Sequence, residues 1–294
     1  MSFADRAFAA LQYLLPKHAL SRAMHALMRT RIPWLKNLLI RGFLLFYDVD
    51  RGEMAQPEPL RYETFNAFFT RALRPAARPV AAGPDVLICP VDGTASQSGR
   101  ITGDRILQAK GRTYSALELL GGDPESARHY ADGEFACLYL APHNYHRIHM
   151  PASGRLLRTI YVPGDLFSVN AATARAVPNV FARNERVVCE FDTEAGRLAV
   201  VLVGALFVGS IETVWAGELN PPPRRRRTPT VLMDGAGMTL GKGDEIGRFN
   251  MGSTVVLLGE PGRLRWRDGL LPGSTVRFGE QLATVLPARQ HVSA

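Results

Sequence analysis

Cysteine is scarce in this 294-residue chain, which has only Cys89, Cys137 and Cys189. They are far apart and set in apolar stretches, so they exclude a disulfide framework and a zinc site, suit a reducing compartment and are expected in the core. Long apolar runs are missing too. The best, residues 38–47, is broken by Arg41 and Gly42 and falls short of the roughly 18 residues that span a bilayer. The first residues lack a basic stretch feeding an apolar one, so no secretory signal is expected. Acidic residues nearly vanish from positions 1–47, where Asp5 stands alone against Arg6, Lys17, Arg22, Arg29, Arg31, Lys36 and Arg41. Two signatures are absent as well. There is no Gly-x-Ser-x-Gly elbow, and Gly241, Gly243 and Gly247 miss the dinucleotide-binding spacing and precede a strand rather than a helix.

What is present is basic and apolar: a net charge of +8 and 46% hydrophobic residues. The N-terminal bases are interleaved with Phe3, Phe8, Leu11, Tyr13, Trp34, Leu38, Phe43 and Phe46. A nucleic-acid arm is far less apolar, so the expected partner is an anionic phospholipid surface, with no nucleic acid. Ordinary helices packed on the domain are the alternative, and the two readings are compatible. Helical spacing continues through residues 62–73, with Phe65, Phe68, Phe69 and Leu73 on one face. Beyond Pro75 and Pro79 the pattern becomes short β-rich runs, at 86–89, 94–101, 135–140, 156–162, 187–192, 198–203 and 207–214, with one helix near 114–120. The fold class is therefore α+β: N-terminal amphipathic helices followed by a mainly antiparallel β core with few helices. Residues 1–60 are expected to form a helical membrane-associating region and residues 61–294 a catalytic β-rich domain. The connection 220–230, with three consecutive prolines followed by four arginines, reads as a solvated loop. Gly-acid turns at 242–247 and 277–283 suit a small barrel or sandwich.

Chemistry is suggested by Met251-Gly252-Ser253-Thr254. A Gly-Ser bond pairs an unhindered carbonyl with a hydroxyl on the next residue. Attack by Ser253 on the Gly252 carbonyl would turn the amide into an ester, and elimination would leave dehydroalanine, which hydrolyses to a pyruvoyl group. Gly-Ser-Thr is also a common turn sequence, and serine needs an adjacent base. Candidate bases lie in Tyr145-His146-Arg147-Ile148-His149-Met150-Pro151, whose two histidines point to opposite sides of an extended strand; His18, His25, His129 and His291 are elsewhere. Asp92, in Pro90-Val91-Asp92-Gly93, either caps a turn or orients a histidine.

These segments resemble the bacterial, pyruvoyl-dependent phosphatidylserine decarboxylase family. So do Phe65-Asn66-Ala67-Phe68-Phe69, Gln108-Ala109-Lys110-Gly111, Val162-Pro163-Gly164-Asp165-Leu166-Phe167-Ser168-Val169-Asn170, Phe181-Ala182-Arg183-Asn184-Glu185-Arg186, Val203-Gly204-Ala205, Gly209-Ser210-Ile211-Glu212-Thr213-Val214-Trp215 and Gly247-Arg248-Phe249. The family usually has leucine where this chain has Met251, a change of little volume. The resemblance implies an Asp92–His149–Ser253 self-processing triad and cutting between Gly252 and Ser253 into a β subunit (1–252) and an α subunit (253–294). It implies a covalent pyruvoyl cofactor from Ser253, no metal, and decarboxylation of phosphatidylserine to phosphatidylethanolamine through a Schiff base. His146 is assigned as the proton donor in turnover, and Tyr139, Phe167 and Ser168 as substrate contacts. A peripheral position on the cytoplasmic side of the cell membrane and a homodimer are also expected. The rivals are an uncleaved serine-type lipid hydrolase and a non-catalytic membrane-surface adaptor.

Overall fold

The computed structural model describes residues 3–207, 210–219, 228–235 and 237–288, with residues 3–7 as backbone only. The arginine run 224–227, His291 and the side chains of Phe3, Asp5 and Arg6 lie outside the described residues. Three helices come first: α1 (Phe3–Leu14), α2 (Lys17–Met28) and α3 (Pro33–Phe46). Strands dominate the regular elements that follow, and every strand pair among the described residues is antiparallel.

The largest sheet is centred on Gly196–Val203, Ser253–Gly259 and Glu134–Leu140. All seven residues of Ser253–Gly259 are buried, as are the three cysteines. Strands covered on both faces read as continuous apolar runs, which is why Val-Val-Leu-Leu appears here. A smaller sheet orders Gly217–Glu218, Ile211–Thr213, Glu245–Phe249 and Arg147–His149. The chain leaves this sheet at Phe249 and enters the large one at Ser253, so the Gly252–Ser253 bond lies at the junction of the two.

The expected helix at 62–73 is shorter than its periodicity predicts. Only α4 (Phe65–Phe69) forms, capped by Thr64 Oγ1, which accepts the Ala67 N–H at 3.0 Å. Past Thr70 the backbone pairs with the segment after α3 instead: Ala55 N–H donates to Ala72 and Arg74 N–H to Glu53. Phe65, Phe68 and Phe69 are buried under Phe43 of α3, while Leu73, expected on the same helix face, lies beyond the helix in a bridge to Met54. The expected helix at 114–120 begins as strand Arg112–Ser115, where Tyr114 pairs with Ile106, and Ser115 then caps Ala116–Leu119. Of the run 207–214, Ile211–Thr213 is strand. Helices Pro124–Tyr130, Ala171–Ala176 and Val180–Arg183 were not foreseen.

The N-terminal helices both pack on the core and expose an apolar edge. Two of their bases turn inward: Lys17 lies 4.3 Å over the Phe167 ring, and Lys36 donates to the Leu60 carbonyl at 2.6 Å. Arg29 bonds Glu218. Trp34, Leu38, Leu45 and Phe46 stand exposed, with Arg31 and Arg41 nearby in sequence. No described helix is long and apolar enough to cross a membrane.

Candidate active site

Ser253 is fully buried, and its Oγ has no hydrogen-bond partner among the described residues. A buried hydroxyl left bare costs on the order of 1–3 kcal/mol, so its persistence calls for a chemical reason. Strand register sets Ser253 opposite Leu140 and Thr254 opposite Tyr139, and the Thr254 hydroxyl is bare too.

His146 stands beside the bond. A Cβ placed on Gly252 would lie 3.3 Å from the Leu140 carbonyl oxygen and 3.6 Å from His146 Cε1. The imidazole is wholly buried and stacks on Phe69 at 4.1 Å between ring centres. Its Nε2 faces the carbonyls of Ala141 (3.1 Å) and Pro142 (3.3 Å). Carbonyls only accept, so Nε2 carries the hydrogen and Nδ1 the lone pair, and Nδ1 has no partner. Burial, helped by the Arg71 charge, pushes this histidine down to about 3, so it is neutral at ordinary pH. Arg71 also fixes the loop that holds it, donating to the carbonyls of His143 (2.8 Å) and Asn144 (3.3 Å).

His149 is built differently. Its Nδ1 donates to the Gly243 carbonyl at 2.8 Å, and its Nε2 accepts from the Tyr145 hydroxyl at 2.9 Å. Burial lowers its pKa, and burial raises that of Tyr145, which keeps the phenol protonated as the donor. The ring lies flat on Phe278, 3.7 Å between centres.

Asp92 starts the Gly93–Arg100 strand, where only glycine fits at 93: a Cβ there would meet the Tyr139 carbonyl at 2.3 Å. Its carboxylate is gripped by Arg78 and accepts the Phe278 N–H at 2.8 Å. No hydrogen bond joins Asp92 to His149, or either to Ser253, among the described residues. The structure thus brings Ser253, Gly252 and His146 together, and sets Asp92 and His149 on either side of Phe278.

The three expected substrate contacts have different surroundings. Tyr139 lines a cavity of about 280 Å³ together with Thr94, Lys110, Val169 and Ala174. Phe167 is fully buried, edge-on to Tyr13 of α1 and beneath Lys17 of α2. The Ser168 N–H donates to Gln12 Oε1 at 2.8 Å. Arg78, Phe278 and Arg71 escaped sequence reading. Arg78 sits among alanines and prolines like any surface arginine, and nothing local marks its partners.

The family model described as phosphatidylserine decarboxylase matches residues 65–284, and one described as PSD matches residues 7–48. The chain is 52% identical over 280 residues to the phosphatidylserine decarboxylase proenzyme of Methylococcus capsulatus, covering 94% of this chain and 96% of that protein. The proenzyme of Azotobacter vinelandii is 52% identical over 286 residues, 95% of this chain and 98% of that one. That of Pseudomonas aeruginosa is 54% identical over 287 residues, 96% and 98%.

Proposed function

The chain belongs to the phosphatidylserine decarboxylase family, and from that premise we propose that it removes the serine carboxylate of phosphatidylserine as carbon dioxide, using a cofactor cut from its own backbone at Ser253. The observation that carries this reading is the bare, fully buried Ser253 Oγ at the Gly252 junction, next to a histidine with a bare nitrogen. In processing, Oγ bonds to the Gly252 carbonyl carbon as the C–N bond breaks and the nitrogen takes a proton. Loss of the Ser253 α-proton then expels Gly252 as a carboxylate and leaves dehydroalanine. Its imine tautomer takes up water and releases ammonia, giving a pyruvoyl group.

Position 253 fits that group: it is buried, its Oγ has no hydrogen-bond partner among the described residues, and it follows a glycine. The group supplies an electron sink for the pair released when the carboxylate departs. The substrate ammonium must shed a proton before its nitrogen can attack, and the carbon left by carbon dioxide must gain one. His146, which stands beside Gly252, is assigned the second, the transfer to that carbon.

Processing falls to Asp92, His149 and Ser253 on this reading, which requires the Tyr145–His149 hydrogen bond to open. One observation favours a second division: His146, not His149, stands beside Gly252, and can itself take the Ser253 proton. Intact-mass analysis tests the whole proposal. Two fragments, split after Gly252, the smaller blocked to Edman degradation and reducible by borohydride, are expected. One intact chain with lipid-hydrolysing activity would mean a serine hydrolase instead, and an intact chain without activity an adaptor.

The exposed edge of Trp34, Leu38, Leu45 and Phe46 suits peripheral docking on an anionic bilayer, which keeps a diacyl substrate at headgroup depth. Replacing these four by serine should release the protein from anionic vesicles. Deleting residues 1–50 is a poorer test, because α3 covers the Phe65, Phe68 and Phe69 cluster. Full sedimentation of the serine variant with vesicles would refute this docking.

A further inference from the structure

Asp92 is buried and, among the described residues, out of hydrogen-bond contact with the histidine it is meant to serve. Arg78 accounts for that arrangement. Its Nε lies 3.1 and 3.2 Å from the two Asp92 oxygens and its Nη2 2.7 Å from Oδ2. The same Nη2 donates to Glu53 at 2.7 Å, and Nη1 to the Ala77 carbonyl at 2.8 Å. Both the Arg78 and Asp92 side chains are 8% exposed. A carboxylate so enclosed needs a partner of opposite charge. Burial works against the Arg78 charge, but the hydrogen bonds to Glu53 and Asp92 outweigh it and keep the guanidinium charged. Glu53 in turn is held below the usual carboxylate range, first by its hydrogen bond to Arg78.

Phe278 links this ion cluster to the histidine. Its N–H rests on Asp92 Oδ1, and its ring lies flat against the His149 imidazole. The His149 N–H donates to the Pro90 carbonyl, two residues from Asp92. We propose that Arg78 is a positioning residue for self-processing: it clamps the Asp92 carboxylate and keeps it anchored to Phe278, so that Asp92 acts on His149 through space rather than through a hydrogen bond. The inference rests on the reading that Asp92 and His149 serve in cutting. It also ties Glu53, in the turn Arg51–Glu53 that follows α3, to the cutting apparatus.

The charged and titratable groups around the pair are few. His149 faces Tyr145 and feels Glu245, Arg147 and Asp92. Asp92 faces Arg78, with Glu53 and Arg277 behind it and Arg71, Cys89 and Tyr145 in electrostatic range. Removing the Arg78 charge takes a positive charge away from the Asp92–Phe278–His149 assembly, which favours the protonated form of His149. That change moves the acid limb of the processing rate to higher pH.

The test is full-length chain made by cell-free translation, pulse-labelled, and chased on gels across a pH series. R78M should cut about tenfold or more slowly, with its acid limb displaced upward, and R78K, which keeps the charge but not the paired contacts, should fall between R78M and the parent. If R78M cuts like the parent, or slowly with an unmoved acid limb, Arg78 is merely structural and the inference fails. Should R78M not fold, as limited proteolysis would reveal, R78K decides by the same criterion. D92N run alongside separates the two levels. Parental cutting in D92N overturns the reading beneath, whereas blocked D92N with an unmoved R78 series overturns this inference alone.

Discussion

His146 and His149 are three residues apart and both buried, yet their surroundings are opposite. His146 spends one nitrogen on two carbonyls and leaves the other bare, over a stacked phenylalanine of the helical layer. His149 has both nitrogens engaged, over a stacked phenylalanine of the C-terminal segment. A strand of alternating faces, Arg147–His149, lies between them and turns the two rings into different neighbourhoods. The lesson is that burial alone does not assign a role. A bare nitrogen is ready to move protons repeatedly, and a saturated one must first be released, which suits an event that happens once.

The contrast breaks most sharply at the histidines themselves. His149→Ala and Asp92→Ala should remain uncut on a gel, while His146→Ala should be cut but lose turnover by about a hundredfold or more. An uncut His146→Ala would transfer the cutting role to the histidine beside Gly252. The next effect is on stability. His146 falls from an ordinary 6.5 to about 3 in the folded chain, so between those values the unfolded chain binds the extra proton. Stability from this group is therefore present above pH 6.5 and is lost as pH falls toward 3, by up to about 5 kcal/mol. Denaturant midpoints measured over that window should fall more gently in His146→Leu than in the parent; equal slopes would contradict the buried neutral ring.

Smaller changes sharpen the division. Phe69→Leu should slow turnover about tenfold and spare cutting, while Phe278→Leu should do the reverse, since each removes one ring stack. Single-turnover cutting and lipid decarboxylation assays on both variants check this, and equal effects on both steps would erase the distinction. The smallest effect expected is at Tyr145→Phe. It removes one hydrogen bond from His149 Nε2, worth about 1 kcal/mol, so cutting should quicken by up to about fivefold. Slower cutting would make the tyrosine hydroxyl part of the apparatus.

Strands such as Arg186–Thr193 and Gly196–Val203 were legible because both faces are buried and their β-branched runs have no other use. The α4 helix was legible in its three phenylalanines and not in its end, because pairing of Ala55 with Ala72 is tertiary and leaves no local mark. The candidate residues Asp92, His146, His149 and Ser253 were picked out by the motifs around them. Their partners were not. The Asp92–Phe278 bond spans 186 residues, and Arg78 carries no pattern that separates a clamp from a solvated charge.

The Ser253–Gly259 strand is bonded on both sides, to Glu134–Leu140 and to Gly196–Val203. The segments that follow it pair with Val86–Ile88 and Gly93–Arg100 from far upstream. A bond placed at the head of such a strand meets its reacting neighbours only when the whole sheet is in register. On the proposed chemistry, cutting is thus a form of proofreading: a misregistered chain stays whole and inert, and every active molecule carries in its broken backbone the record that it folded first.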